Sequence, residues 1–203
     1  MIGASRFIAS KGLNEEAWLE ARKRGVTATQ VARAATPSGF DAELASWSDP
    51  RPIEDNAVMV FGREAEPRIS LWLKDRFDVL PTDWVIAHEY EERFLASPDG
   101  LSVDHSRVVE IKTTGKPWED YRSAPIHYRR QIQWQLFVTG AEACVFAWML
   151  RADLGESFAD GWFEPRVVIV ERDSVMIDAL VDVANRLLEA RDSLELEWMT
   201  ASA

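Results

Sequence analysis

The sequence predicts an α/β (α+β) fold, a mixed central β-sheet flanked by helices on both faces. Short runs rich in Val, Ile and aromatic residues lie at 84–90, 92–97, 108–112, 145–150 and 166–171, lengths that suit strands. Segments 62–77, 127–138 and 174–194 have helical length and pattern. At 203 residues the chain can enclose one sizeable core. It reads as a single domain over 1–203, with a central part at about 58–150, an N-terminal helical part at about 13–36 and a C-terminal strand and helix at about 162–198.

Each element follows from local chemistry. Asn14 can cap a first helix whose apolar positions Ala17, Trp18 and Ala21 face inward, and Gly25 punctuates its end. A second short helix begins near Thr27 or Thr29, turning backbone N–H groups and a hydroxyl outward beside Arg22, Lys23 and Arg24, a reasonable place for an anion. Residues 40–56, with Ser46, Ser48, Asp49, Pro50 and Pro52, read as a loop-rich connection to the helix at 62–77. Strands at 84–90 and 92–97 lead into a hairpin whose turn falls at 104–106. On the helix at 127–138, Ile132, Trp134 and Leu136 belong to the packed side. Gln131 and Gln135 are neighbours one turn apart, with Gln135 expected on a solvated face. Residues 143–148 form a buried strand around the lone Cys144, which has no partner for an intramolecular disulfide. An acidic loop at 153–160 separates the last two strands, and an amphipathic helix at 174–194 turns Val175, Leu180, Val183 and Leu187 inward.

The chemistry concentrates in Ser97-Pro98-Asp99-Gly100 and Val108-Val109-Glu110-Ile111-Lys112. Side chains alternate along a strand, so Glu110 and Lys112 share one face while Val109 and Ile111 share the other. A carboxylate on each of two extended segments, joined by an ammonium, suits a hard divalent cation such as Mg2+, with Mn2+ able to substitute. Asp99, Glu110 and the backbone carbonyl of Ile111 can supply its oxygen ligands. Such an ion polarises a phosphodiester and lowers the pKa of a bound water. Lys112 would orient that water or screen charge growing on the phosphate. The pattern points to a metal-dependent nuclease, although in isolation the same residues also fit a β-hairpin with a solvated polar edge.

The words around this pair resemble the YqaJ branch of the PD-(D/E)XK nuclease superfamily, the phage recombination exonucleases of lambda exonuclease type. Four ordered blocks carry the resemblance. The first is Trp18-Leu19-Glu20-Ala21-Arg22 running on to Gly25-Val26-Thr27-Ala28-Thr29, and the second is Gly62-Arg63-Glu64-Ala65-Glu66. The third is the segment from 97 to 112, and the fourth is Tyr128-Arg129-Arg130-Gln131-Ile132-Gln133 closing at Thr139-Gly140. The resemblance implies a restriction-endonuclease-like core and a Mg2+-dependent 5′-to-3′ exonuclease that acts on double-stranded DNA ends and leaves 3′ single strands for recombination. It implies Asp99 and Glu110 as metal ligands, Lys112 as the catalytic lysine and Gln131 as the glutamine of the fourth block. Glu66 becomes the helix-borne acid near the metal, through a water where it does not bind directly. Glu64 competes for that place, and Glu66 is preferred because it stands four residues after Gly62. Arg22 and Thr29, aided by Gln131, are implied to grip the 5′-terminal phosphate, with threonine where the family has serine. A homotrimeric ring and a single-strand annealing protein as partner follow from the same resemblance. Two other readings stand beside it: a PD-(D/E)XK endonuclease or junction resolvase using the same metal site, and a catalytically inert DNA-end-binding or assembly protein.

Composition bounds the rest. A net charge of −11 should repel a polyanion at long range. The charge is uneven, however: residues 1–40 and 101–150 carry +3 and +1, whereas 41–100 and 151–203 carry −8 and −7. Neither a signal-type apolar stretch nor about 18 uninterrupted apolar residues occurs, so no membrane span is expected and the reading is cytoplasmic. Lys23 and Arg24 read as ordinary charge at a helix C-terminus. His88, His105 and His127 lack metal-ligand spacing, and Glu89 and Glu91 read as solvated edge residues. Trp118 reads as an anchor for the loop after the hairpin, with substrate contact as the alternative.

Overall fold

The computed structural model describes residues 2–3, 6–48, 56–151 and 164–201. From the N-terminus, β1 (Phe7–Ser10) leads to α1 (Glu15–Lys23). The Asn14 side chain accepts from the Ala17 N–H at 3.0 Å, as an N-cap should. Ala21 is buried and Trp18 half-buried, but Ala17 is exposed, contrary to expectation, because only the Trp18–Ala21 side of α1 meets Val85 and Leu95. Gly25 plays a different part from the one expected. Its φ is not left-handed, and a Cβ there would lie 1.9 Å from the Arg93 carbonyl, the oxygen that accepts the Val26 N–H at 2.8 Å. The glycine thus permits β2 (Val26–Thr27) to dock, and α2 (Ala28–Ala34) follows with Gln30 Oε1 accepting from the Thr27 N–H at 2.9 Å.

The loop expected at 40–56 is instead largely a helix, α3 (Pro37–Ser48); residues 49–55 lie outside the described residues. Pro37 occupies the first helical position, where its missing N–H costs nothing. Phe40, Leu44 and Trp47, spaced at i, i+4 and i+7, pack against buried residues of other helices, and this packing outweighs the serines and prolines that suggested a loop. Next, α4 (Ala57–Phe77) begins five residues ahead of the expected start, capped by Asn56 accepting from the Met59 N–H at 3.0 Å.

Short strands follow: β3 (Val79–Pro81), β4 (Trp84–Ala87), β5 (Phe94–Ala96) and β6 (Gly100–Ser102). The long β7 (Arg107–Thr114) pairs antiparallel with β6 across the turn expected at 104–106, where His105 takes a left-handed φ of 61°. After a 3-10 turn (Tyr121–Ser123), α5 (Ile126–Thr139) crosses over to β8 (Ala143–Leu150), which runs parallel to β7. β9 (Arg166–Glu171) and α6 (Ser174–Ala201) complete the chain, and the acidic loop expected at 153–160 lies outside the described residues. Val175, expected inside, is 79% exposed. The buried stripe of α6 is Ile177, Leu180, Ala184, Leu187 and Leu188, whose helical period leaves Val175 on the outer side.

The strands form two sheets rather than one, a four-stranded β1-β4-β5-β2 and a five-stranded β3-β6-β7-β8-β9. The chain changes sheet between β5 and β6, at Pro98, which has no N–H to continue a ladder. On one face of the larger sheet Val109, Ile111, Val145 and Ala147 pack against Ala65, Ile69 and Leu73 of α4. On the other face Val108, Cys144, Phe146 and Trp148 pack against Ile132 and Leu136 of α5. A third cluster joins α2, α5 and α6 through Val31, Trp134, Val138 and Leu187. Among the described residues no helix is long and apolar enough to cross a membrane.

Candidate active site

The site grows from the β6–β7 hairpin. Asp99 stands one residue before β6, and its N–H donates to the Val109 carbonyl at 3.0 Å. Its Oδ2 accepts from the Ile111 N–H at 2.6 Å, so Asp99 holds β7 on either side of Glu110, by its backbone at Val109 and by its carboxylate at Ile111. Since the N–H and C=O of one strand residue leave by the same edge, the Ile111 carbonyl is turned toward Asp99 as well. Asp99 Oδ1 has no hydrogen bond among the described residues.

Glu110 and Lys112 share a face of β7, as alternation requires, and both lie opposite α4 on the side of α5. Glu110 is 1% exposed, an unusual place for a carboxylate, and it survives there because donors surround it. Its Oε1 accepts from Lys112 Nζ and from Gln131 Nε2, the latter at 2.6 Å, and its Oε2 accepts from Gln135 Nε2 at 2.7 Å. The Lys112 ammonium also lies 5.2 Å from the centre of the Tyr128 ring. Gln135 was expected to be solvated and is instead fully buried. The helix there is enclosed on all sides from Ile132 to Leu136, so the two-glutamine stripe faces Glu110 and not water.

Glu66 enters from α4. It lines, with Asp99, Ser70, Lys74, Thr82 and Asp83, an open groove of about 690 Å3, whereas Glu64 is exposed on the outer side of the helix. Burial pushes the Asp99 carboxyl well above its ordinary value, and the charges of Glu110 and Glu66 push the same way against Lys112. Burial likewise raises Glu66, aided by Glu110 and opposed by Lys112 and Lys11. For Lys112 burial acts downward, but the combined charges of Glu110 and Asp99 overcome it and keep the ammonium above its ordinary value. Three carboxylates thus act on one another with one ammonium between them, a local negative excess that a dication would neutralise. The donor set is hard oxygen throughout. Among the described residues no three His, Cys, Asp or Glu side chains converge as a ready cage. Two carboxylates plus a backbone carbonyl suit Mg2+, which keeps several of its own waters.

Residues 17–142 match the YqaJ-like viral recombinase domain. The chain belongs to this family. Among solved structures, an alkaline exonuclease from Laribacter hongkongensis is 27% identical with a TM-score of 0.71, over 92% of this chain and 98% of that one. The same enzyme in complex with dAMP gives 25% identity and a TM-score of 0.68 over the same shares of the two chains. A phage-related exonuclease from Haemophilus somnus 129PT, 15% identical with a TM-score of 0.63 over 86% of this chain and 96% of that one, is alike in fold. A comparison with the curated proteins finds no match. The family and the Laribacter hongkongensis enzyme make the YqaJ-type chain a nuclease, with the α/β architecture expected from sequence.

Within the YqaJ fold the first-block residues come close to the hairpin. The Arg22 guanidinium lies 4.4 Å from the Trp18 ring centre, and its Nη1 donates to Ser97 Oγ at 3.1 Å, two residues before Asp99. β2 runs parallel to β5, with Val26 opposite Phe94 and Thr27 opposite Leu95, so Thr29 and Ser97 both emerge from the same end of the smaller sheet. Ser97 was not singled out as a site residue in the sequence, although it opens the Ser-Pro-Asp word. Lys23 pairs with Glu20 at 2.5 Å, in keeping with ordinary helix-end charge. The discounted residues have structural partners: His105 Nδ1 accepts from the Ile2 N–H, His88 stacks on Phe137 at 4.4 Å, and Glu91 pairs with Arg93. Trp118 is 8% exposed among Tyr128, Phe146 and Trp148, an anchor and not a free platform for substrate.

Proposed function

We propose that this YqaJ-family nuclease is a Mg2+-dependent 5′-to-3′ exonuclease that removes nucleotides from double-stranded DNA ends and leaves 3′ single strands for recombination. The observation that carries the reading is that Asp99 and Glu66 line one groove while Glu110 and Lys112, buried on β7, act on both of them through their charges. Asp99, Glu110 and the Ile111 carbonyl would hold the ion, and Glu66 would reach it through a water. When bound, Mg2+, or Mn2+ in its place, supplies Lewis acidity and a water of lowered pKa. Lys112, held charged by its neighbours, orients the attacking water and offsets charge on the phosphate. Arg22, Thr29 and Gln131, joined by Ser97, would hold the 5′-terminal phosphate, since Arg22 and Ser97 already form a donor pair on the Asp99 side. The dAMP complex of the Laribacter hongkongensis exonuclease supports a mononucleotide product. A homotrimer working inside the cell with a single-strand annealing protein completes the proposal.

Linear duplex with a 5′-phosphate, its 5′-hydroxyl twin and covalently closed circles, each incubated with Mg2+, test the reading. End-dependent release of mononucleotides, faster from the phosphorylated end, is expected. Cutting of closed circles would move the assignment to an endonuclease. Wild-type protein that binds ends without cleaving them would move it to an inert end-binding protein.

A further inference from the structure

The buried glutamine Gln135 has no part in the reading above, yet its contacts are specific. Glu110 Oε1 already holds two donors, Lys112 Nζ and Gln131 Nε2, which fill both of its lone pairs. Oε2 accepts from Gln135 alone among the described residues, leaving its second lone pair open. The open coordination position of Glu110 is therefore on the oxygen that Gln135 holds. Gln135 is 0% exposed, and its own Oε1 is a buried acceptor with no partner among the described residues. An apolar side chain would fill that space without stranding an oxygen, and an unsatisfied buried group in a native fold calls for an explanation, of which a role at the adjoining site is one.

The platform that carries Gln135 is rigid. Trp134 Nε1 donates to the Leu95 carbonyl at 3.0 Å, and Gln133 bridges the Glu171 carbonyl and the Asp173 N–H at 2.9 and 2.8 Å. The Thr139 hydroxyl donates to the Gln135 carbonyl at 2.7 Å. A donor held this way fixes the carboxylate it touches, the role that hydrogen-bond partners play behind metal-ligating side chains.

We propose that Gln135 is a positioning residue that sets Glu110 Oε2 as the oxygen presented to the divalent ion, and thereby sets affinity for that ion. The proposal rests on the metal-nuclease reading. The test is Mn2+ binding to the DNA-free full chain, followed by electron paramagnetic resonance, for wild type, Gln135→Met and Gln135→Asn. Methionine keeps the volume and removes the donor. Asparagine keeps the amide but falls one methylene short of Glu110. Both variants should bind Mn2+ about 10–100-fold more weakly, the usual cost of losing such a partner. Added Mn2+ should restore part of the lost kcat while KM for DNA stays fixed, because a fully buried residue does not touch DNA.

A folded variant with wild-type Mn2+ affinity overturns the proposal, and so does a loss of kcat that no Mn2+ concentration relieves. A crystal structure of the wild-type protein with Mn2+ decides without any variant. Ligation through Oε2 supports the role and ligation through Oε1 alone overturns it. Wild type that takes up no Mn2+ overturns the nuclease reading and this proposal with it, whereas normal uptake by both wild type and variants overturns this proposal alone.

Discussion

Lys112→Met separates the charge of the proposed catalytic lysine from its packing, since methionine keeps most of the stem that lies beside the Tyr128 ring. Two effects follow, and the structure sets the size of each. The first is chemical: removing one preorganised donor to developing charge costs about 100–1,000-fold in kcat, roughly 2.7–4 kcal/mol. The second is structural. Stripping one partner from a buried ion pair can cost about 3–5 kcal/mol. Here that is an upper bound, because Gln131 and Gln135 still donate to Glu110. A loss of roughly 1–3 kcal/mol is the better expectation, comparable to hydrogen bonds to charged groups. For a chain of this size it lowers Tm by roughly 2–4 °C per kcal/mol. Single-turnover digestion of 5′-phosphorylated linear duplex at saturating Mg2+ reads the first effect, and thermal melting without DNA reads the second. A folded variant whose kcat stays within about threefold of wild type would refute the role given to Lys112.

Other perturbations follow from the same geometry. Arg22→Met removes the guanidinium on Ser97, so the preference for a 5′-phosphorylated over a 5′-hydroxyl end should fall by about 10–100-fold, the worth of one charge-assisted contact; paired digestions on the two substrates measure it. Burial, and then Arg6, hold the His88 pKa below its ordinary value. The stability that neutral His88 contributes is fully present above the unfolded pKa of about 6.5 and is lost as pH falls toward the depressed folded value. Between pH 7.5 and 5.5 the wild-type Tm should therefore fall further than that of His88→Phe, and parallel melting curves across this range would count against the assignment.

How much of this was legible in the sequence depends on whether a residue's partners are near in the chain. Glu110 and Lys112 are two apart on a strand, so alternation alone put them on one face. Asp99 is joined to Ile111 across a hairpin whose turn residues were visible. Glu66 needed the family pattern, because a helix period does not tell which of two glutamates faces a groove made by other elements. Gln135 was misread for a related reason. Its i, i+4 relation to Gln131 was plain, but a polar stripe reads as solvated unless the buried acid opposite is known. The helix α3 was hidden by Ser46, Ser48, Asp49, Pro50 and Pro52, although Phe40, Leu44 and Trp47 carry a helical spacing that only the α2, α5 and α6 cluster rewards. The split into two sheets depended on which edges pair, a long-range choice that strand propensity does not encode.

The acidity of the chain leads to one more prediction, argued from where the charges sit. Several cations remote from the hairpin are already paired, Arg93 with Asp192 and Arg191 with Glu195, so they do little to attract DNA. Asp99 and Glu66 line the groove, and with buried Glu110 beside them they outnumber Lys112, so a phosphate brought there without an ion meets net repulsion. Two like charges about 5 Å apart at an effective dielectric of about 40 repel by roughly 1.5 kcal/mol, so each carboxylate costs DNA affinity on the order of tenfold. Asp99→Asn combined with Glu110→Gln should therefore bind a duplex end more tightly than wild type in EDTA, by roughly 10–100-fold, while cleaving nothing in Mg2+. Adding Ca2+, which also takes oxygen ligands, should tighten wild-type binding and leave the double variant unmoved. Fluorescence anisotropy at fixed ionic strength measures all four combinations. Equal affinities in EDTA would mean that the phosphate path does not pass these carboxylates, and the groove would then lose its claim to be the place where the backbone is cut.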